Sequence, residues 1–142
     1  MRRIVRPIHC AWFIAATFLL FAATSAVAAD LDWAAVADVD TVRVLTTDED
    51  GDARATKIWL AVIDGVGYIR TSRRTTWGDN VKRDPDIALR IGDTDYPMRA
   101  TFIVDEAERA RIVAGFEEKY GSNPIMNFIR GDDPPIMRLE PR

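Results

Sequence analysis

Apolar and polar residues change their spacing several times along the chain, and each change marks an element. Ala11 to Ala23 is an apolar stretch with one polar interruption, Thr17. Leu31, Ala34, Ala35 and Val39, with Trp33 beside them, have helical spacing over a few residues and predict a short helical entry segment. From Thr41 the period becomes two. Val42 and Val44 flank Arg43, and Leu45 follows before Asp48-Glu49-Asp50-Gly51-Asp52, which predicts a strand running into a hairpin turn. Ala55 to Ile63 is a second strand whose end, Ile58 to Ile63, is apolar on both faces and therefore buried on both. Asp64-Gly65 suits the positive φ of a two-residue hairpin, and Val66 to Ser72 pairs back.

Arg73 to Asp84 is polar, with Trp77 and Val81 four apart on one face of a short helix that Pro85 ends. Ile87, Leu89 and Ile91 alternate with polar or small residues, Gly92-Asp93 turns, and Tyr96, Met98, Ala100, Phe102 and Val104 alternate again, a second long hairpin. Pro97 within it predicts an edge position or a bulge. Asp105 with Glu108 three residues on is a helix start. Ile112, Val113, Phe116 and Tyr120 are its buried stripe, and Gly121 stops it. The tail holds Pro124, Pro134-Pro135 and a candidate last strand, Ile136 to Leu139. Five or six strands joined mostly by hairpins must curl or be covered to hide their edges. The expected class is α+β, mainly β: a small antiparallel barrel with flanking helices.

The first 29 residues read as an export signal. Arg2, Arg3 and Arg6 precede the apolar stretch, and Ala26-Val27-Ala28 supplies small residues for cleavage after Ala28 or Ala29. The apolar stretch is shorter than the ~20 residues of a spanning helix. A signal peptide over 1–29 and one domain over 30–142 are therefore expected, in a periplasmic or secreted product with no stable membrane anchor after cleavage. The residues around Arg2-Arg3 match a twin-arginine signal poorly, so export as an unfolded chain is favoured.

Charge and composition then narrow the chemistry. The 142 residues carry a formal net charge of −3, but three of the 19 Lys and Arg lie in residues 1–29, so residues 30–142 set 16 of them against 22 Asp and Glu, a net of −6. Such a domain is not built for nonspecific nucleic-acid binding. His9 and Cys10 are the only residues of their kinds, and both precede the cleavage point. The mature product thus lacks the means for a serine–histidine triad, a cysteine nucleophile, or a zinc site with N or S ligands, and no metal site is expected. Carboxylates, arginines, Lys57, Lys82, Lys119, tyrosines, hydroxyls and any bound cofactor remain.

Three local motifs resemble the split-barrel flavin and deazaflavin proteins, the superfamily of pyridoxamine-phosphate oxidase-like and deazaflavin-dependent nitroreductase-like domains. Asp50-Gly51-Asp52-Ala53-Arg54-Ala55-Thr56 resembles that family's D-G-x-x-R-x-T hairpin. Gly67-Tyr68-Ile69-Arg70-Thr71-Ser72 resembles its third strand. The most specific is Trp77 to Ile87, similar to W-x-x-N-L-x-x-x-P-x-V, with Trp77 where the flavin oxidase branch commonly has lysine, as in the deazaflavin-type branch. The resemblance spans about Thr41 to Gly121. It implies a split barrel and a homodimer with FMN or a deazaflavin at the subunit interface, its phosphate near the end of the third strand.

The residues suit that role on their own chemistry. Arg70, Thr71, Ser72, Arg73 and Arg74 offer guanidinium and hydroxyl donors on one strand end and loop. Arg54, Lys57 and Lys82 join them if the fold brings them close. Trp77 and Trp59 are candidates to wall a flavin-type ring, Trp59 being the better core residue, and Tyr68 reads as a barrel residue. Asn80 is a candidate cofactor contact or a helix-stabilising residue, as is Asp79 the latter. An Arg-Arg loop is equally at home in solvent. No catalytic residue is assigned.

The first functional reading is an oxidoreductase moving a hydride between a reduced flavin or deazaflavin and a small electrophilic acceptor, chemistry that the cofactor carries. The alternative is a non-catalytic periplasmic module holding a flavin, heme-like or apolar ligand. A third is an interaction protein with a degenerate pocket. Export of an unfolded chain weighs against the first, because the cofactor must then be found outside the cytosol.

Overall fold

In the computed structural model residues 30–121 and 133–142 are described. Residues 1–29, expected to be an export signal, and Pro124 lie outside them. After a single 3-10 turn, Ala34–Val36, the chain forms β1 (Thr41–Thr47), β2 (Ala53–Ile63), β3 (Val66–Arg70), α1 (Thr76–Arg83), β4 (Asp86–Ile91), β5 (Thr94–Phe102), α2 (Glu106–Tyr120) and β6 (Ile136–Pro141). All neighbouring strands are antiparallel and close in the order β1-β2-β3-β6-β5-β4. The tail strand is thus the closing stave between β3 and β5, and the expected mainly-β barrel with flanking helices is the observed architecture.

Period-two alternation sends Val42, Val44, Leu60, Ile69, Leu89, Met98, Ala100, Met137 and Leu139 into the barrel. Helix α1 plugs this interior with Trp77 and Val81, the pair four residues apart. A second core lies outside the barrel wall, where Ile112 and Phe116 of α2 cover Ala61, Tyr68 and Ile136, flanked by Trp59 and Ile63. The apolar run Ile58 to Ile63 is therefore buried on both faces within one chain: alternate residues enter the barrel, and the rest lie under α2.

Local chemistry fixes the joints. Asp64 (φ 52°) and Gly65 (φ 75°) make the two-residue β2–β3 turn. Asp105 Oδ1 accepts from the Glu108 amide at 2.7 Å and caps α2, which ends at Gly121 (φ 74°). Strand β3 ends at Arg70 rather than Ser72 because the ladder runs out at a proline: the Thr71 amide donates to Pro135 O at 3.0 Å in the β3–β6 register, but Pro135 has no N–H to return. Strand β5 likewise stops at Phe102, and Val104 is exposed. Pro97 sits inside β5 opposite Ala88, yet its β6 side faces the end of that strand, where Arg142 N donates to Pro97 O at 3.2 Å. The missing N–H falls where β6 runs out, a local edge in a barrel that otherwise has none.

Candidate functional site

The end of β3 and the loop to α1 form one wall of a cavity of about 260 Å³. Lys57, Ile58 and Trp59 of β2 line the other side, and Arg70, Thr71, Ser72, Thr75 and Trp77 complete it. The fold thus brings Lys57, Arg70, Thr71, Ser72 and Trp77 to one cavity, while Arg73 and Arg74, next along the same loop, are not among its lining residues. Thr75 and Ile58 were not among the candidates. Thr75 carries a readable signal, a hydroxyl residue just before a helix, and it caps α1 by accepting from the Gly78 amide at 3.2 Å. Its Oγ1 also lies 2.5 Å from Thr71 Oγ1, so the two hydroxyls hold the loop in one shape.

The cations of the site are placed unequally. The Arg70 guanidinium lies 4.8 Å from the centroid of the Phe116 ring, a cation–π contact that holds it against α2. Arg73 and Arg74 are exposed, and neither they nor Lys57 have a carboxylate partner among the described residues. Trp77 is buried, with one surface in the barrel core and an edge on the cavity. Trp59 serves both roles weighed for it: it lines the cavity and stacks on Tyr120 with centroids 4.5 Å apart.

The three remaining candidates are drawn elsewhere. Lys82 pairs with Asp79 at 2.9 Å along the exposed side of α1. Arg54 and Asn80 converge on Asp48: Arg54 donates to both carboxylate oxygens, at 2.7 and 2.6 Å, and Asn80 Nδ2 donates to Oδ1 at 2.6 Å. Asn80 is buried and also donates to Thr46 Oγ1 at 3.0 Å, while its own Oδ1 accepts from Arg83. The Arg54 hydrogen bond, seconded by Asn80, holds the Asp48 carboxyl at a pKa of about 2. These residues border a separate, more acidic depression lined by Asp48, Glu49, Asp50, Asp79, Asn80 and Arg83.

No family profile matches the chain, and no curated protein matches it in sequence. Solved structures do match in shape. A conserved hypothetical protein from Mycobacterium tuberculosis superposes with a TM-score of 0.62 at 23% identity, over 80% of this chain and 82% of that one. An F420-H2 dependent reductase, FDR-A, does so with a TM-score of 0.59 at 22% identity, over 72% of this chain and 95% of that one. This chain has the split-barrel fold. HutZ, the heme storage protein from Vibrio cholerae, shares it with a TM-score of 0.60 at 16% identity, over 72% of this chain and 82% of HutZ. The chain spans about half the length of another match, Campylobacter jejuni ChuZ, 48% of which is covered at a TM-score of 0.60 and 18% identity. A domain-swapped dimer also matches, with a TM-score of 0.59 at 23% identity, over 72% of this chain and 81% of that one.

Proposed function

We propose that this chain is an exported flavin- or deazaflavin-dependent oxidoreductase-like protein that passes a hydride to a small electrophilic acceptor. The observation that carries the reading is the cavity between β2 and the β3–α1 loop, lined by two indoles, three hydroxyl residues, Lys57 and Arg70, with Arg73 and Arg74 exposed on the loop beside it. The donor set fits a phosphate: Arg73 and Arg74 are cations free of carboxylates, and Ser72 and Thr71 add hydroxyls beside them. FMN or a deazaflavin, when bound, supplies the hydride chemistry. The chain's residues then anchor the phosphate at Ser72, Arg73 and Arg74, with Arg70 held in place by Phe116, and limit water with Trp59 and Trp77. Likeness of fold to an F420-H2 dependent reductase supports the same reading.

The cavity is smaller than the roughly 300–1,000 Å³ of typical small-molecule sites, so one subunit encloses only part of a flavin. A homodimer that completes the site follows, and the domain-swapped dimer of like fold supports it. The two-sided strand Ile58 to Ile63 does not contribute to that argument, because α2 already covers its outer face.

A non-catalytic ligand-binding module is the second reading, favoured by the heme storage protein of like fold and by the export signal. Residues 30–142 contain no histidine or cysteine, so a heme iron would depend on methionine or tyrosine. The experiment is calorimetric titration of FMN and of a deazaflavin into purified protein, with an absorption spectrum of protein taken from its native compartment. Saturable binding and a visible flavin-type band are expected. Protein that is colourless and binds neither compound would overturn the proposal, and a heme spectrum would install the second reading.

A further inference from the structure

On the outside of the barrel three cations stand in one row across three strands. Arg43 of β1 is directly opposite Lys57 of β2 on one side and Arg90 of β4 on the other. Residues paired in this way share a face, with Cβ atoms about 4.5–5.5 Å apart, and like charges so placed repel. One of the three is neutralised: Asp95, opposite Arg90 on β5, accepts from its Nε at 2.5 Å and from Nη2 at 2.7 Å. Asp93 is the other carboxylate that acts on Arg90. Arg43 and Lys57 have no carboxylate partner among the described residues. A hollow of about 170 Å³ lies over the row, lined by Thr41, Val42, Arg43, Lys57, Arg90 and Gly92.

We propose that the Lys57–Arg43–Arg90 row is an oxyanion site that takes a compact dianionic group of the phosphate class. Two uncompensated charges match a phosphate dianion. Asp95 fixes the Arg90 guanidinium by its Nε and Nη2 edge, which leaves Nη1 available. The repulsion built into the row is relieved when an anion sits on it, in a domain whose net charge would otherwise turn anions away. Because Lys57 also lines the cavity at Ser72, the oxyanion is either a free ion or the far end of a molecule seated in that cavity. The site stands on its own geometry and does not depend on the flavin reading.

The test is an NMR titration of the purified protein with inorganic phosphate at constant ionic strength, read at the arginine Nε–Hε resonances. Saturable shifts at Arg43 and Arg90 are expected, and they persist in the Arg73→Ala/Arg74→Ala double variant. Arg43→Gln should weaken phosphate binding about tenfold, as loss of one charge-assisted contact does. The same variant should melt at a higher temperature than wild type in phosphate-free, low-salt buffer, which also shows that it folds. Shifts that rise linearly without saturation, or equal affinity in Arg43→Gln and wild type, would overturn the site. FMN distinguishes the sources: weaker FMN binding by Arg43→Gln identifies the row with the far end of the cavity ligand, and unchanged FMN binding identifies it as a site for free oxyanion.

Discussion

Asn80 donates from Nδ2 to the Asp48 carboxylate at 2.6 Å, which ties the middle of α1 to the end of β1 across 32 residues of sequence. Trp77, one turn earlier on the same helix, is packed in the barrel. The W-x-x-N spacing therefore does two mechanical tasks: the indole plugs the barrel, and the amide fixes the helix to the rim so that the plug keeps its place. Loss of the amide leaves buried Thr46 without this donor and removes one of the donors to half-buried Asp48. Asn80→Ala should destabilise the fold by about 1–3 kcal/mol, read as a lower urea midpoint at unchanged slope. An unchanged midpoint would show that the amide is a ligand contact and not a pin.

The same carboxylate gives stability a particular acid dependence. Asp48 is held at a pKa of about 2 in the fold, chiefly by Arg54 and next by Asn80, against 3.8 ordinarily. A depressed carboxyl contributes stability that is complete above its unfolded pKa and is lost as pH falls through the folded one. The stability gap between wild type and Asp48→Asn should therefore be widest above about pH 4 and close towards pH 2. Denaturation curves at a series of pH values measure it, and a gap independent of pH would remove Asp48 from the acid transition.

Much of this fold was legible because its signals are local. Asp64-Gly65, Asp105 with Glu108, and the alternation from Ile87 to Phe102 act over neighbouring residues, and each stands where the pattern put it. Strand ends were less legible: Ser72 continues the alternation of β3, but Thr71 falls opposite Pro135, which accepts its amide and has no N–H to return, a pairing 64 residues away in sequence. The site divides in the same manner. Arg70 to Ser72 and Trp77 meet because one strand and its loop carry them, and Lys57 joins because β2 runs beside β3. Arg54, Asn80 and Lys82 were grouped with them by charge and motif alone, and their nearest partners, Asp48 and Asp79, claim them. Nothing in the sequence pattern foretold that Arg43 would fall between Lys57 and Arg90, since strand register decides that.

Tyr120 closes the far end of α2 over the barrel. Its hydroxyl is 2.5 Å from Leu60 O and 2.7 Å from Asp40 O, and its ring stacks on Trp59. Lys119 beside it donates to Ala37 O, Val39 O and Leu60 O. Tyr120→Phe keeps the stack and loses the hydroxyl, so a cost of about 0.5–1.5 kcal/mol is expected at neutral pH. Burial first, and then the Asp40 carboxylate, push the phenol up to about 12. A raised pKa contributes stability present below the unfolded value, 10.0, and lost as pH rises through the folded one. Wild type should accordingly lose its advantage over Tyr120→Phe between pH 10 and about 12. Lys119 titrates in both proteins, so the difference isolates the phenol; parallel pH profiles would contradict this.

Arg73 and Arg74 separate binding from folding more cleanly than any other pair at the site. Both are exposed, lie in the loop before α1, and have no carboxylate partner among the described residues. Their removal to Ala should change stability by less than about 0.5 kcal/mol, as surface substitutions away from packed features do. A phosphate, by contrast, loses two charge-assisted contacts of about 1.5–3 kcal/mol each. At about 1.4 kcal/mol per tenfold, FMN or deazaflavin affinity should fall by at least ~100-fold. Trp77→Ala cannot serve as this test, since removing a buried indole costs about 3–5 kcal/mol and unplugs the barrel. Calorimetric titration of wild type and Arg73→Ala/Arg74→Ala, with thermal melts of both, is the measurement. Matching melts with a hundredfold weaker ligand place the phosphate on this loop. Matching melts with equal affinity would leave these arginines as solvated charges and move the anchor to Arg70 and Lys57, which line the cavity.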